Sequence, residues 1–165
     1  MMPKAGKAVI IILILMIAIW NSLQLYAYRS ASFNIEFTSF EINYIFLIPS
    51  GVALHFTLSV QNPSFIDIYI PQIDGEIYLE GIFVDDFHID ERRVPAGGVI
   101  TQSLYITVSI EDLPALGQAI FSILDKGYAD VRIDGNARLR LSLLPFIEVP
   151  YYIPIHFSRS ETITL

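Results

Sequence analysis

Residues 54–63 read LHFTLSVQNP, and the way this stretch sorts its side chains decides the fold. Leu54, Phe56, Leu58 and Val60 are apolar and alternate with His55, Thr57, Ser59 and Gln61. A period of two sends successive side chains to opposite faces of a strand, one toward a core and one toward water. Asn62-Pro63 closes the stretch, because proline has no N–H for a ladder and restricts the residue before it. The alternation recurs at Ile66, Ile68 and Ile70, at Leu104, Ile106 and Val108, at Ala137, Leu139, Leu141 and Leu143, and at Tyr151, Ile153, Ile155 and Phe157. Repeated half-polar strands separated by turns imply antiparallel sheets packed face to face.

Turn residues divide these strands. Pro49-Ser50-Gly51 separates the apolar residues 42–48 from the strand that follows, and Asp74-Gly75 offers a tight hairpin between Ile70 and Ile77. Pro95-Ala96-Gly97-Gly98 and Asp134-Gly135-Asn136 mark two further breaks. One segment has helical spacing instead: Leu113, Leu116, Ile120, Phe121, Ile123 and Leu124, closed by Lys126 and Gly127. Ser109 and Asp112 resemble a cap for it, and Pro114 fits only its first turn. This predicts one amphipathic helix lying on a sheet.

Upstream the pattern is different. Residues 8–28, from Ala8 to Tyr28, hold no charge over 21 positions, which as a helix reaches roughly 32 Å, about the hydrocarbon thickness of a bilayer. Lys4 and Lys7 before the run and a single Arg29 after it favour a cytoplasmic N-terminus, and Trp20, Tyr26 and Tyr28 suit the far interface. The competing reading is a cleaved signal peptide, since the strictly apolar core, residues 8–20, is short. Candidate cleavage sites are poor: Ala27 has Leu25 two positions before it, and Ser30-Ala31-Ser32 lies far beyond the core. Both readings export residues 30–165 as one domain, with residues 1–29 as stub and anchor. Asn21 and Gln24 share a helix face; they either meet water at the interface or contact a helix of another membrane subunit.

From Arg29 onward 8 Lys and Arg face 17 Asp and Glu, a charge of -9 within a chain total of -7. Such a domain repels phosphate backbones, so no nucleic-acid partner is expected. The chain has no cysteine, which removes disulfides, thiolate metal sites and cysteine nucleophiles together. No phosphate loop, nucleophile elbow or paired zinc-ligand spacing occurs, and neither catalytic residue nor cofactor is expected. The densest polar cluster runs from Asp85 to Glu91. There Asp86, His88 and Asp90 share a strand face and are weak candidate metal ligands, more simply read as a charged strand edge that blocks aggregation. Asp130, Arg132, Asp134, Arg138 and Arg140 read as the outward positions of two neighbouring strands.

Taken in order, LHFTLSVQNP, IDIYIPQIDGEIYLEG (residues 66–81), VPAGG (94–98), QSLYITVSIEDL (102–113) and DVRIDGNARLRL (130–141) resemble the folded late-embryogenesis-abundant proteins, also called the water-stress and hypersensitive-response (WHy) domain. The resemblance covers roughly residues 33–157. It implies a mainly β, immunoglobulin- or fibronectin-III-like antiparallel sandwich of about seven strands with one helix, and no catalytic residues. It also implies a link to desiccation and stress protection, often with membrane anchoring. Asn62, Pro63 and Gly135 match the family pattern and read as structural: a strand terminus, a fixed turn, and a close backbone approach or positive φ. Three roles follow as expectations. The chain is a stress-associated sandwich acting by contact with proteins or the membrane surface, an accessory subunit of an envelope complex using residues 42–48 as a partner surface, or a lipid-binding module.

Overall fold

The computed structural model describes residues 4–145 and 147–165. Helix α1 (Lys4–Ser30) leads into strands β1 (Ser32–Ile45), β2 (Ile48–Gln61), β3 (Ile68–Leu79), β4 (Ile82–Val94) and β5 (Val99–Ser109). Helix α2 (Ala115–Lys126) then precedes β6 (Tyr128–Leu144) and β7 (Ile147–Thr164). The strands form two antiparallel sheets, ordered β1-β2-β5 and β4-β3-β6-β7. This is the seven-stranded sandwich with one amphipathic helix and one N-terminal helix that the alternation and the resemblance implied. Leu54, Phe56, Leu58 and Val60 are buried between the sheets with Ile68, Ile70, Ile73, Ile77, Ile133 and Leu139.

Glycine positions account for two corrections. Asp74-Gly75 lies in the middle of β3 and Asp134-Gly135-Asn136 in the middle of β6, so neither is a turn or a strand end. Phe87, Gly75, Gly135 and Phe157 form one row across β4-β3-β6-β7. A Cβ on Gly75 would lie 2.3 Å from the Phe87 ring, and one on Gly135 only 2.0 Å from the Phe157 ring. The glycines therefore leave room for rings lying over the sheet. Phe157 stacks on Phe33 of the opposite sheet at 5.2 Å and 3°, and Phe87 meets Phe56 edge-on at 5.5 Å. These offset and edge-on arrangements suit the ring quadrupole.

The true hairpin turns lie elsewhere. Glu80 (φ 51°) and Gly81 (φ 77°) join β3 to β4, and Phe46 (φ 49°) and Leu47 (φ 67°) join β1 to β2. Pro49-Ser50-Gly51 belongs to β2 itself. Two consecutive left-handed residues match the twist of a two-residue hairpin, but that conformation normally selects Asn-Gly, not two bulky side chains.

Helix α2 buries Leu116, Ala119, Ile120 and Ile123 against β2, β4 and β6, so it bridges both sheets where one was expected. Gly127 (φ 78°) ends it in the left-handed conformation and donates its N–H to Ile123 O at 2.8 Å. The Ser109–Asp112 pair is made, but in the turn ahead of the helix. Asp112 N–H donates to Ser109 Oγ at 3.1 Å, while Pro114 holds the cap position without a side-chain bond.

Candidate functional site: the junction of helix and sandwich

The two ends of the sandwich differ in chemistry. α1 enters at the end formed by the β2–β3 and β4–β5 loops and the β6–β7 turn. Phe46 and Leu47 stand at the opposite end, since β1 runs the length of the sandwich to reach them.

At the helix end, Trp20, Gln24 and Tyr28 recur every four residues and so occupy one face of α1. All three bond β6. Gln24 Nε2 donates to Ser142 O at 2.6 Å and Ser142 N–H donates to Gln24 Oε1 at 2.8 Å. Trp20 Nε1 donates to Ser142 Oγ at 3.1 Å, and the Tyr28 hydroxyl donates to Arg140 O. The pairing of β6 with β3 stops at Gln72↔Arg138, although β3 itself runs on to Ile68, so at Arg140 and Ser142 it is α1, not β3, that bonds the β6 backbone. The Gln24 carboxamide meets both backbone groups of Ser142 as a neighbouring peptide would, and at 3% exposure it is fully committed there. For Gln24 this is neither of the two roles expected from the sequence. Gln24 serves the chain's own strand, and Asn21 donates to Ile17 O of its own helix at 2.8 Å. The sequence held no signal for a contact between residues 118 positions apart. A cleft of about 430 Å³ opens beside the junction, lined by Trp20, Gln24, Tyr28, Phe65, Tyr69 and Arg140 among others.

N-terminal to the junction, α1 stands largely clear of the sandwich among the described residues. Val9 to Met16 and Ile19 expose their side chains, and the helix over Val9–Ser30 is long and apolar enough to cross a membrane. Ala8 lies within α1.

Asn62 and Pro63 sit in the loop beside this end. Asn62 is completely buried. Its amide nitrogen donates to the carbonyls of Ile66 (2.8 Å), Val94 (3.1 Å) and Pro95 (3.1 Å). Its oxygen accepts from the Ser64 N–H (3.1 Å) and the Ser64 hydroxyl (2.7 Å). One side chain thus ties the β2–β3 loop to the β4–β5 turn. Asp67 adds a second tie, accepting from Arg93 and from the Ala96 N–H at 2.9 Å. The Arg93 guanidinium and that N–H hold the Asp67 carboxyl below the usual carboxylate range.

On the outer face of β4, His88 Nδ1 lies 2.6 Å from Asp74 Oδ1 of β3, and its Nε2 lies 3.3 Å from Asp90 Oδ1. The hydrogen bond to Asp74 raises the imidazole pKa above its ordinary 6.5. Burial opposes ionisation of Asp74, but hydrogen bonds from Gln72 and His88 outweigh it and lower that pKa. Asp86 is set apart from this pair, opposite Glu76. Asp86, His88 and Asp90 therefore do not converge, and among the described residues no group of three such side chains could hold a metal ion. Asp130, Arg132, Asp134, Arg138 and Arg140 lie on the single strand β6, not on two. There Thr162 and Ser158 of β7 donate to Asp130 and Asp134, each at 2.6 Å.

The far end carries Phe46 at 96% and Leu47 at 93% exposure, flanked by exposed Tyr44, Ile45 and Ile48. Beside them lies an apolar cleft of about 470 Å³ lined by Ile45, Ile48, Pro49, Val108 and Ile110 among others. By contrast, two cavities between the sheets hold about 10 Å³ each, too little for more than one water.

No family model and no curated protein sequence matches the chain. Solved structures do. A solution structure from Arabidopsis thaliana aligns with a TM-score of 0.50 at 19% identity, over 81% of this chain and 84% of its own. A crystal structure of a protein from Archaeoglobus fulgidus aligns at 0.48 and 13%, over 79% and 98%. A solution structure of a protein described as late embryogenesis abundant aligns at 0.45 and 18%, over 98% and 86%. At these identities the likeness is one of fold.

Proposed function

We propose that this chain is a membrane-anchored, non-catalytic sandwich of the late-embryogenesis-abundant, WHy type, held at the outer face of a membrane and protecting it by surface contact. The observation that carries the anchoring is α1 itself: its first half exposes a continuous apolar surface while its second half is bonded into the sandwich. A cleaved leader has no reason to complete the backbone bonding of a strand in the mature domain. Lys4 and Lys7 at the near end support a cytoplasmic N-terminus. Stress protection rests on the sequence resemblance alone; the fold shared with the Arabidopsis protein fits the sandwich that the resemblance implies. The test is drying and rehydration of vesicles carrying the reconstituted full chain. Reduced leakage of an entrapped dye, relative to vesicles carrying an unrelated single-span protein, is the expected result; equal leakage refutes the protective role.

The exposed Phe46-Leu47 tip favours a second reading, an accessory subunit that docks a protein partner at the end remote from the membrane. Native mass measurement after detergent extraction distinguishes the two, because a stoichiometric partner lost on Phe46→Asn supports the subunit. The filled interior weighs against a lipid-binding module that houses an acyl chain between the sheets.

A further inference from the structure

We infer that the β6–β7 hairpin end is a second membrane element, immersed in the outer leaflet beside α1. The inference rests on the reading of α1 as a membrane span and goes beyond it. A bilayer's hydrocarbon is about 30 Å thick and takes about 20 helical residues. Residues 8–19 are the apolar part of α1 that precedes the junction at Trp20, and they supply only about 18 Å. The remaining distance, about 12 Å, falls on the segment already bonded to the sandwich. The span is complete only when Trp20 and Gln24 lie within the outer leaflet, and Ser142 lies there with them.

β6 and α1 descend together, because Tyr28 bonds Arg140 while Gln24 and Trp20 bond Ser142. From Ser142 the chain continues about 10 Å to Pro145, which carries the turn below the level of Trp20. The sequence there fits lipid. Between Arg140 and Arg159 the only acid or base other than a histidine is Glu148, whose backbone is in register with Ser142. Leu143, Ile147, Tyr151 and Tyr152 are exposed among the described residues there.

The bonding fits as well. In hydrocarbon, every backbone polar group needs a partner within the protein. Gln24 and Tyr28 supply partners along the part of β6 that is no longer paired with β3. In water, solvent would serve that edge equally well. On the other side, β7 is the sheet's edge strand, and Pro150 and Pro154 bring no N–H to it. The domain's charge of -9 offers no attraction to anionic lipid, so the contact is apolar and insensitive to salt.

The chain has no cysteine, so single cysteines at exposed positions report depth cleanly. Ile147→Cys, Ile12→Cys and Phe46→Cys full-length chains carry an environment-sensitive fluorophore in phosphatidylcholine vesicles. Quenching by acyl-chain nitroxide is compared with quenching by aqueous iodide. The expected result is a nitroxide-to-iodide ratio several-fold higher at Ile147 and Ile12 than at Phe46, unchanged between low and high salt. A ratio at Ile147 equal to that at Phe46, with Ile12 still shielded, overturns the hairpin immersion and leaves the anchor standing. Iodide access at Ile12 overturns the anchor, and the immersion falls with it.

Discussion

Replacing Asn62 tests the loop end of the sandwich more sharply than truncating any single core methyl. Its amide donates to three carbonyls and accepts from two Ser64 donors inside a site closed to water. Each net hydrogen bond contributes about 0.5–1.5 kcal/mol, and each buried group left without a partner costs about 1–3 kcal/mol. Asn62→Ala retains the backbone bond from Asn62 N–H to Gly98 O but strands at least two of the five groups. The expected loss is about 2–4 kcal/mol, which for a chain of this size lowers Tm by roughly 5–15 °C. Asn62→Asp preserves shape and the Ser64 contacts, yet points a carboxylate oxygen at three carbonyls 2.8–3.1 Å away. It should destabilise at least as much as alanine near neutrality. Part of the loss should return on acidification, when the protonated acid can donate once. Thermal unfolding of the full chain in detergent, followed by circular dichroism, gives the comparison. An Asn62→Asp chain as stable as the parent at neutral pH, or one whose deficit against the parent widens as pH falls, refutes the reasoning.

Other substitutions probe other links. Gly135→Val places a side chain where the Phe157 ring lies 2.0 Å from the new Cβ, so it should cost at least 1–3 kcal/mol, the range for an overpacked core; a smaller loss on Phe157→Leu, Gly135→Ala chains than on Gly135→Ala alone would confirm the ring as the obstacle. Phe46→Asn with Leu47→Gly relieves two left-handed bulky residues and should stabilise the hairpin by about 1–2 kcal/mol, read in chemical denaturation, while abolishing any partner bound at the tip. The His88 imidazole, titrated by NMR, should show a pKa above 6.5 that falls on Asp74→Asn. Its raised folded value means that its contribution is complete below the unfolded pKa and lost as pH rises through the folded one. Asp74, with a lowered pKa, contributes above its ordinary value and loses that contribution as pH falls through the folded one.

The sandwich was legible because the period of two runs through the central strand β2, and burial follows it at Leu54, Phe56, Leu58 and Val60. Turn positions were less legible, for a physical reason. Glycine signals either a left-handed backbone or missing volume, and the sequence does not distinguish them. Gly75 and Gly135 serve volume, making space for Phe87 and Phe157, whereas the left-handed turn at Phe46-Leu47 uses residues that propensity rejects. Asn62 read correctly as the end of β2, but its five partners come from two loops that only the fold brings together. Gln24 was legible as a polar residue needing a partner in an apolar helix. That the partner is Ser142 depends on where the β3–β6 pairing ends, a property of the fold and not of local sequence.

The central claim is that α1 is retained and fixes the sandwich to the outer face of a membrane. It is tested most directly by labelling intact cells with a membrane-impermeant maleimide, using chains with one cysteine at Lys4 or at Tyr105. Labelling at Tyr105 only, on a full-length chain that stays with the membrane through an alkaline wash, is the expected result. A chain found in the soluble fraction without its first helix, or labelled at Lys4 and shielded at Tyr105, contradicts the account.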